Sequence, residues 1–245
     1  MLHIVRYATR TFCLFCRIST PQLYSNMNTK TLCDKYSPFD PRTRLVELFR
    51  DFDRVLVTSS FGITSAVLLH LIHEVRPSHP IYFLDTQYHF PETWAYMAQL
   101  IEDWGLNVHI VKPDASMHLK TKELRMWDTD STACCSVNKV TPLRKLKQQH
   151  TVWISGLVGQ TTHMRKQLSL FKHDGEILRF YPFLDMPQEF VAYYSESFEL
   201  PPHPLSRKGY DSVGCRHCTL PGKGRSGRWK GTPKTECGLH YMKNQ

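Results

Sequence analysis

The amino-acid sequence predicts an α/β fold with a mostly parallel, doubly wound sheet. Short β-branched or apolar runs alternate with longer helical segments between about residues 43 and 155. Such alternation is typical of parallel strands that are covered by helices on both faces. The chain has 245 residues, of which 41% are hydrophobic and 12% aromatic, so it can bury a sizeable core. This composition excludes a mainly disordered protein.

The individual elements are predicted from the length and periodicity of the apolar runs. Strands are expected over 54–58, 81–84, 107–111 and 152–155. Helices are expected over 43–52, 66–75, 91–104 and 142–149. Pro91 suits the first turn of the third of these helices. Beyond Pro201 the chain is rich in Gly, Pro, Arg and Lys, which predicts loops and a flexible C-terminal tail.

Composition divides the chain into three regions: a basic leader over 1–37, a main domain over 38–205, and a tail over 206–245 that packs on the same domain. The first acidic residue is Asp34. A basic, acid-poor leader is typical of a transit peptide, of sequence upstream of a true start at Met27, or of a functional extension. We expect a cytoplasmic protein, or import into an organelle if residues 1–26 are a transit segment. The Cys13/Cys16 pair has no second pair nearby and is interpreted as incidental.

The net charge indicates which partners the chain could bind, and the cysteine content indicates what chemistry it could carry out. The formal net charge is +9, which favours anionic partners such as nucleotides, nucleic acid or acidic protein surfaces. No apolar run approaches the roughly 20 residues that a membrane span needs, so no membrane partner is expected. The chain has 8 Cys, too few for a secreted disulfide scaffold of this size. Clustered Cys in such a protein indicate metal or redox chemistry in a reducing compartment.

A polar loop between the first predicted strand and the next helix is a candidate phosphate site. It reads Ser-Ser-Phe-Gly-Ile-Thr-Ser over residues 59–65. Free backbone N–H groups and the helix dipole favour an anion at such a position. We therefore expect Ser59, Ser60, Gly62 and Ser65 to bind substrate phosphate. The alternative is a polar turn in which a serine caps the helix.

A second candidate follows the strand at 81–84. Ligands of open α/β sheets lie at the carboxyl ends of strands, so Asp85 and Thr86 are expected to face the substrate. The alternative is that Asp85 only caps its own loop.

Four cysteines form two tight pairs, Cys134-Cys135 and Cys215-x-x-Cys218. A C-x-x-C alone is compatible with a redox motif, half of a zinc site, or chance. Two pairs suggest a four-thiolate site for zinc or an iron–sulfur cluster. Adjacent side chains diverge, which suits a larger cluster better than one tetrahedral ion. Buried thiols or a vicinal disulfide remain alternatives for the first pair.

The loop at 59–65 resembles the phosphate loop of the ATP-pyrophosphatase superfamily, Ser-Gly-Gly-x-Asp-Ser, and this resemblance implies that superfamily's sheet. Phe61 stands in place of the first Gly and Thr64 in place of the Asp, which disfavours ATP cleavage. The two Cys pairs and the segment Lys-Thr-Glu-Cys-Gly-Leu-His over 234–240 resemble the cluster-containing assimilatory adenylyl-sulfate reductases, which belong with the phosphoadenylyl-sulfate reductases in one family. The resemblance covers about residues 53–240.

The resemblance implies roles for individual residues. The cysteines Cys134, Cys135, Cys215 and Cys218 would bind one 4Fe-4S cluster, and Cys237 would be the nucleophile. Further substrate-binding residues would be Lys139, Arg165, Arg225, Arg228 and His240. Asn138 departs from the family's usual Arg, and residues 158–162 depart from its usual Arg-Arg-x-Gln-Ser. Cys33 has no assigned role.

The function implied by the resemblance is reduction of adenylyl sulfate to sulfite and AMP through an S-sulfocysteine on Cys237, in assimilatory sulfate reduction, with thioredoxin or a similar thiol donor. One alternative is the same reaction on phosphoadenylyl sulfate. A second is a nucleotide-activating sulfur-insertion enzyme acting on nucleic acid, which would need an Asp where Thr64 stands. A third is a non-catalytic iron–sulfur module that binds nucleic acid. The sequence leaves oligomeric state open, including a homo-oligomer.

Overall fold

The computed structural model of the chain describes residues 28–158, 165, 168–187 and 189–239. Most of the predicted leader, most of the segment 158–162, and His240 lie outside the described residues. Across the described residues, no helix is long and apolar enough to cross a bilayer.

A six-stranded sheet forms the centre of the described structure. Its strands are β1 (Val55–Ser59), β2 (Ile81–Leu84), β3 (Val108–Val111), β4 (Val152–Ile154), β5 (Phe171–His173) and β6 (Leu178–Phe180). Their order is β3-β2-β1-β4-β6-β5, and only the β5–β6 pair is antiparallel. The register pairs Val57 with both Ile81 and Ile154. The predicted mostly parallel α/β fold is confirmed.

The helices begin and end where local sequence favours it. They are α1 (Thr29–Tyr36), α2 (Pro41–Asp51), α3 (Ser65–Val75), α4 (Pro91–Trp104), α5 (Ala115–Glu123), α6 (Met126–Thr129), α7 (Ser131–Cys135), α8 (Thr141–Lys147) and α9 (Phe190–Ser197). Asp40 caps α2 by accepting hydrogen bonds from the N–H groups of Arg42 and Thr43. Gly105 ends α4 in the left-handed conformation, with φ of 61°.

The core lies between the sheet and the helices that cover it. The central strands carry side chains with no exposure, including Val57, Phe83 and Ile154. Helix α3 contributes a nearly continuous apolar surface, because Ala66 to Leu69 and Leu71 to Ile72 are all buried. A parallel strand that is covered on both faces needs such runs.

The four predicted strands and four predicted helices are all present, with ends that differ by one or two residues. Elements without a clear sequence pattern escaped prediction. The strands β5 and β6 have three residues each and contain Lys172 and Arg179. Helix α5 is polar on nearly all sides and buries only Thr121. Its sequence therefore lacks the apolar stripe that marks a helix.

A buried ion-pair network ties α8 to the β5–β6 hairpin. The Asp174 carboxylate lies 2.6 Å from the Lys147 Nζ and 2.7 Å from an Arg179 Nη atom, and no side chain of the three is more than 9% exposed. Burial alone would raise the pKa of Asp174, but the charges of Arg179 and Lys147 and their hydrogen bonds lower it to about 2.

Replacing Asp174 with Asn should destabilise the protein by about 3 kcal/mol, because it leaves the buried Arg179 without its counter-ion and Lys147 with only the more exposed Glu176, 3.1 Å away. Urea denaturation at neutral pH measures this difference. Because the folded-state pKa is lowered, the contribution is present above about pH 4 and disappears as the pH falls towards 2. An Asp174→Asn variant with wild-type stability at pH 7 would show that the network contributes nothing net.

Candidate active site

A cavity of about 840 Å³ opens at the carboxyl ends of β1 and β4. Strand order reverses between these two strands, since the chain runs from β1 to β2 on one side and places β4 on the other. Ligands of open α/β sheets bind at such a switch point. The cavity brings together nine of the residues predicted from sequence: Ser59, Ser60, Gly62, Ser65, Lys139, Arg165, Arg225, Arg228 and Cys237.

The predicted phosphate loop forms one wall of this cavity. Phe61 adopts a left-handed φ of 47° and is fully buried, packing edge-on against Phe83 at 5.6 Å between ring centroids. The Gly62 N–H donates to the Ser65 Oγ at 2.9 Å. Thr64 at the start of α3 makes no side-chain cap, so the helix N-terminus is left for another acceptor.

Asp85 and Thr86 lie elsewhere. The buried Asp85 carboxylate accepts a hydrogen bond from the Gln87 N–H at 2.7 Å, and the residue does not line the large cavity. This is the loop-capping arrangement that the sequence left open. The Thr86 hydroxyl lies 3.3 Å from the Cys215 Sγ and belongs to the cysteine site described below.

Cations of the tail surround the indole of Trp229. The charged groups of Arg228, Arg225 and Lys234 lie 4.4, 5.6 and 5.4 Å from the centre of its ring. Arg228 also donates to the Ser212 Oγ at 3.2 Å. Gly214 makes room for Arg228, because a Cβ at this glycine would lie 2.4 Å from an Arg228 Nη atom.

Glu236, which the sequence argument did not single out, lies buried among these cations. Its carboxylate accepts from the Arg165 Nε at 2.9 Å and from an Arg225 Nη atom at 2.9 Å. Burial lowers the pKa of Arg225, Glu236 opposes this effect, and the charges of Arg165 and Arg228 lower it further, to about 10. Three guanidinium groups thus line the cavity, and two of them share the Glu236 carboxylate, which favours an additional anion there. The adjacency of Glu236 to Cys237 was the one signal in the sequence that could have identified it.

The four predicted cysteines Cys134, Cys135, Cys215 and Cys218 line a second, smaller cavity next to the first. Polar groups approach their sulfurs: Asn138 Nδ2 lies 3.6 Å from the Cys134 Sγ, and Lys234 Nζ lies 3.4 Å from the Cys135 Sγ. Among the described residues, no group of three or more His, Cys, Asp or Glu is arranged to hold a single metal ion.

The pKa values of three of these thiols are shifted, and not all in the same direction. Burial and the charges of neighbouring cysteines raise the pKa of Cys134 to about 12 and that of Cys218 to about 11. Burial would also raise the pKa of Cys135, but the charges of Lys139 and Lys234 lower it overall. Several free thiolates together are therefore disfavoured here unless a cation joins them.

A π-helical turn over Ser136–Val140 connects α7 to α8 directly after the adjacent cysteines. Such turns are frequent at functional sites. The turn places Lys139 where it lines both cavities. Burial opposes the charge of Lys139, but the nearby cysteines Cys215, Cys237 and Cys135 raise its pKa overall. Lys139 is therefore charged at neutral pH and lies between the cysteine site and the large cavity.

The chain is similar to several known proteins over most of its length. The sequence model of the phosphoadenosine phosphosulfate reductase domain matches residues 54–221. An adenosine 5'-phosphosulfate reductase of Bacillus mycoides (strain KBAB4) is 36% identical over 199 residues, 78% of this chain and 85% of that protein. The enzyme of the same name from Chelativorans sp. (strain BNC1) is 38% identical over 201 residues, covering 80% and 82%.

Two solved structures share the fold. A phosphoadenylyl-sulfate reductase from Candida auris, in a phosphate complex, superposes with a TM-score of 0.68 at 21% identity, covering 78% of this chain and 95% of that one. Yeast FAD synthetase with FAD gives a TM-score of 0.52 at 14% identity, covering 83% and 73%. These likenesses show the fold alone, and they agree with the predicted α/β fold with its mostly parallel sheet.

Proposed function

The chain belongs to the phosphoadenosine phosphosulfate reductase domain family, and from this premise we propose that it reduces adenylyl sulfate to sulfite and AMP, with thioredoxin or a similar dithiol protein as the reductant. The observation that carries the proposal is the position of Cys237. It is half-buried and lines a cation-rich cavity at the switch point of the sheet, together with the predicted phosphate loop. A nucleophile and an anion-binding loop share one cavity of nucleotide size.

In the first half-reaction the Cys237 thiolate attacks the sulfur of adenylyl sulfate. An S–S bond forms, the bond from sulfur to the bridging oxygen breaks, and AMP leaves with that electron pair. The sulfo group remains on Cys237. Arg225, Arg228 and Lys139 would stabilise the charge on the phosphosulfate and on the leaving phosphate. The same cations shield the thiolate from the anion that it attacks.

In the second half-reaction a thiolate of the dithiol protein attacks the Cys237 Sγ. Sulfite leaves with the electron pair of the broken S–S bond, and a mixed disulfide remains. The second thiol of the donor then closes the donor's own disulfide and restores the Cys237 thiolate. The donor dithiol loses two electrons, and the sulfur of the sulfate gains them.

We also propose that Cys134, Cys135, Cys215 and Cys218 hold one 4Fe-4S cluster. The donor set fits, because four soft sulfur ligands share a buried cavity in which bare thiolates are disfavoured. A four-iron cluster binds each thiolate to a different iron, which suits adjacent cysteines. When bound, the cluster would supply a compact charged group whose field acts on Lys139 and the substrate.

Steady-state sulfite release tests the proposed function. Protein that is purified without oxygen is incubated with reduced thioredoxin and with matched adenylyl sulfate or phosphoadenylyl sulfate. Strong preference for the unphosphorylated nucleotide supports the proposal. Preference for the phosphorylated nucleotide would retain the mechanism and correct the substrate, and absence of sulfite with either would contradict the reductase function.

Replacing Lys139 with Met should slow the AMP-forming step by about 10²- to 10³-fold, because a cation that faces the reacting groups is lost. Rapid-quench measurement of AMP in the first turnover checks this value. Lys145→Met is the matched control, since this exposed lysine of α8 lies outside both cavities. A rise in KM with an unchanged rate of AMP formation would contradict the role given to Lys139.

Gly214→Ala should raise the KM for adenylyl sulfate by about tenfold. This change corresponds to the loss of one charge-assisted hydrogen bond between Arg228 and the substrate. The added methyl group must push the Arg228 guanidinium away, and this flexible side chain can move without unfolding the protein. The KM is read from sulfite release, and the melting temperature serves as the control for folding. An unchanged KM would show that the position of Arg228 does not matter to the substrate.

A further inference from the structure

We propose that Glu236 acts as a clasp that positions Cys237 inside the cavity for the first half-reaction and releases it for the second. This inference rests on the proposed function and adds a positioning residue to it. The clasp consists of the Glu236 carboxylate and the two guanidinium groups that hold it, those of Arg165 and Arg225.

The clasp joins three segments of the chain. Glu236 is only 2% exposed. It accepts from Arg165 Nε at 2.9 Å and Nη2 at 3.3 Å, and from Arg225 Nη2 at 2.9 Å. Arg225 Nη2 also donates to the Thr235 carbonyl at 3.0 Å. Arg165 follows β4, whereas Arg225 lies in the tail, so the carboxylate ties the residue next to Cys237 to two separate segments that line the cavity.

The opposite flank of Cys237 is held at the cysteine site. A Cβ on Gly238 would lie 3.4 Å from the Cys135 Cβ and 3.2 Å from the Val140 Cγ2, so the backbone runs close against that site. On the Glu236 side of Cys237, Lys234 Nζ also donates to the Ser131 carbonyl at 2.8 Å. Cys237 therefore lies between two anchored neighbours, and its place in the cavity depends on both.

Charge makes the clasp act as a switch between two states. A buried carboxylate is strongly disfavoured without its cationic partners. If either arginine turns to the sulfo group that the first half-reaction leaves on Cys237, Glu236 loses part of its compensation and its return to water becomes favourable. Because Cys237 is the next residue, it would move with Glu236. A closed clasp holds the thiol in the cavity, and an open clasp presents it outside.

The two half-reactions need these two states. Attack on adenylyl sulfate requires the Cys237 thiolate inside the cavity, next to Lys139 and Arg228. The protein thiol that removes sulfite cannot enter a cavity of about 840 Å³ and must meet the sulfonated Cys237 outside. Weakening the clasp should thus slow the first half-reaction and leave the second unchanged or faster.

The test compares Glu236→Gln with the control Glu102→Gln, which changes an exposed glutamate of α4. Three rates are measured without oxygen: alkylation of Cys237 by iodoacetamide in ligand-free protein, formation of the sulfo adduct in a single turnover without reductant, and release of sulfite from the preformed adduct by reduced thioredoxin. Peptide mass spectrometry separates Cys237 from the other cysteines.

We expect Glu236→Gln to speed alkylation of Cys237 by about tenfold. Formation of the sulfo adduct should slow by about 10²-fold, which is the effect expected when a reacting group is misplaced by about 1 Å. Sulfite release should not slow. Arg165→Lys, which keeps the charge but loses the paired hydrogen bonds, should shift the three rates in the same directions. It gives a second test if Glu236→Gln does not fold.

Two results would overturn the clasp. Equal slowing of both half-reactions with unchanged alkylation would indicate a purely structural role. Faster adduct formation in Glu236→Gln would show that the carboxylate competes with the substrate anion instead of positioning the thiol. If the wild type forms no adduct with adenylyl sulfate, the proposed function fails, whereas the alkylation rates still decide whether Glu236 holds Cys237.

Discussion

Replacing Cys237 with Ser should abolish reduction of adenylyl sulfate, with a loss of more than about 10⁴-fold in sulfite release. A serine hydroxyl in the same place is far less nucleophilic than a thiolate and cannot form the S–S bond to the sulfo group. The cavity and its cations remain, so nucleotide binding should survive. Sulfite release and equilibrium binding of AMP, measured on the same preparation, separate the two effects.

Cys33→Ser is the matched control for this variant. Cys33 is also a free, partly buried thiol, but it lies on α1, where its Sγ accepts a hydrogen bond from the Phe171 N–H at 3.4 Å. Its replacement should leave sulfite release close to that of the wild type. Substantial activity in Cys237→Ser would contradict the assignment of the nucleophile, and equal loss in both variants would point to general damage from removal of a thiol.

Replacing Cys215 with Ser should remove iron and sulfide from the anaerobically purified protein. The loss of activity should exceed the 10- to 100-fold that is usual for changes around a metal site, because the variant would lose a direct ligand of the proposed cluster. Cys215 is buried beside the Thr86 hydroxyl. Its charge is one of those that raise the pKa of Lys139. Without the bound group, the position of Lys139 between the two cavities would lose its support.

Iron and sulfide content, together with the visible absorption spectrum, provides a readout that does not depend on activity. The Cys33→Ser variant should retain the wild-type content. Wild-type protein that holds zinc in place of iron and sulfide, or Cys215→Ser protein that keeps its full iron content, would contradict the proposed cluster.

The central strands could be predicted from sequence because burial on both faces leaves continuous apolar runs such as Ile81–Leu84. The hairpin of β5 and β6 could not. Its strands are short, and Lys172 and Arg179 interrupt them. The buried Arg179 is compensated by the Asp174 carboxylate, which also pairs with Lys147, 27 residues earlier in the chain. Local periodicity carries no information about such a network.

The candidate site likewise has features that the sequence could predict and features that it could not. Motifs predicted roles for the cysteines, the phosphate loop and Cys237, and the structure brings these residues to two adjoining cavities. The mutual placement of Lys139 and the cysteines depends on the π-helical turn Ser136–Val140, which no propensity in its sequence marks. The clasp at Glu236 depends on Arg165 and Arg225 approaching from two segments. Asp85, a carboxylate at a strand end that was expected to face the substrate, accepts a hydrogen bond from the Gln87 N–H and does not line the large cavity.

The most direct test of this account is mass spectrometry of the protein after one turnover. Reduced, oxygen-free enzyme is mixed with adenylyl sulfate in the absence of any thiol donor, quenched, and digested for peptide mapping. We predict one added SO₃ group per chain, located on Cys237, with one equivalent of AMP released and no free sulfite until thioredoxin is added. Release of sulfite without a protein adduct, or an adduct on another cysteine, would contradict the account.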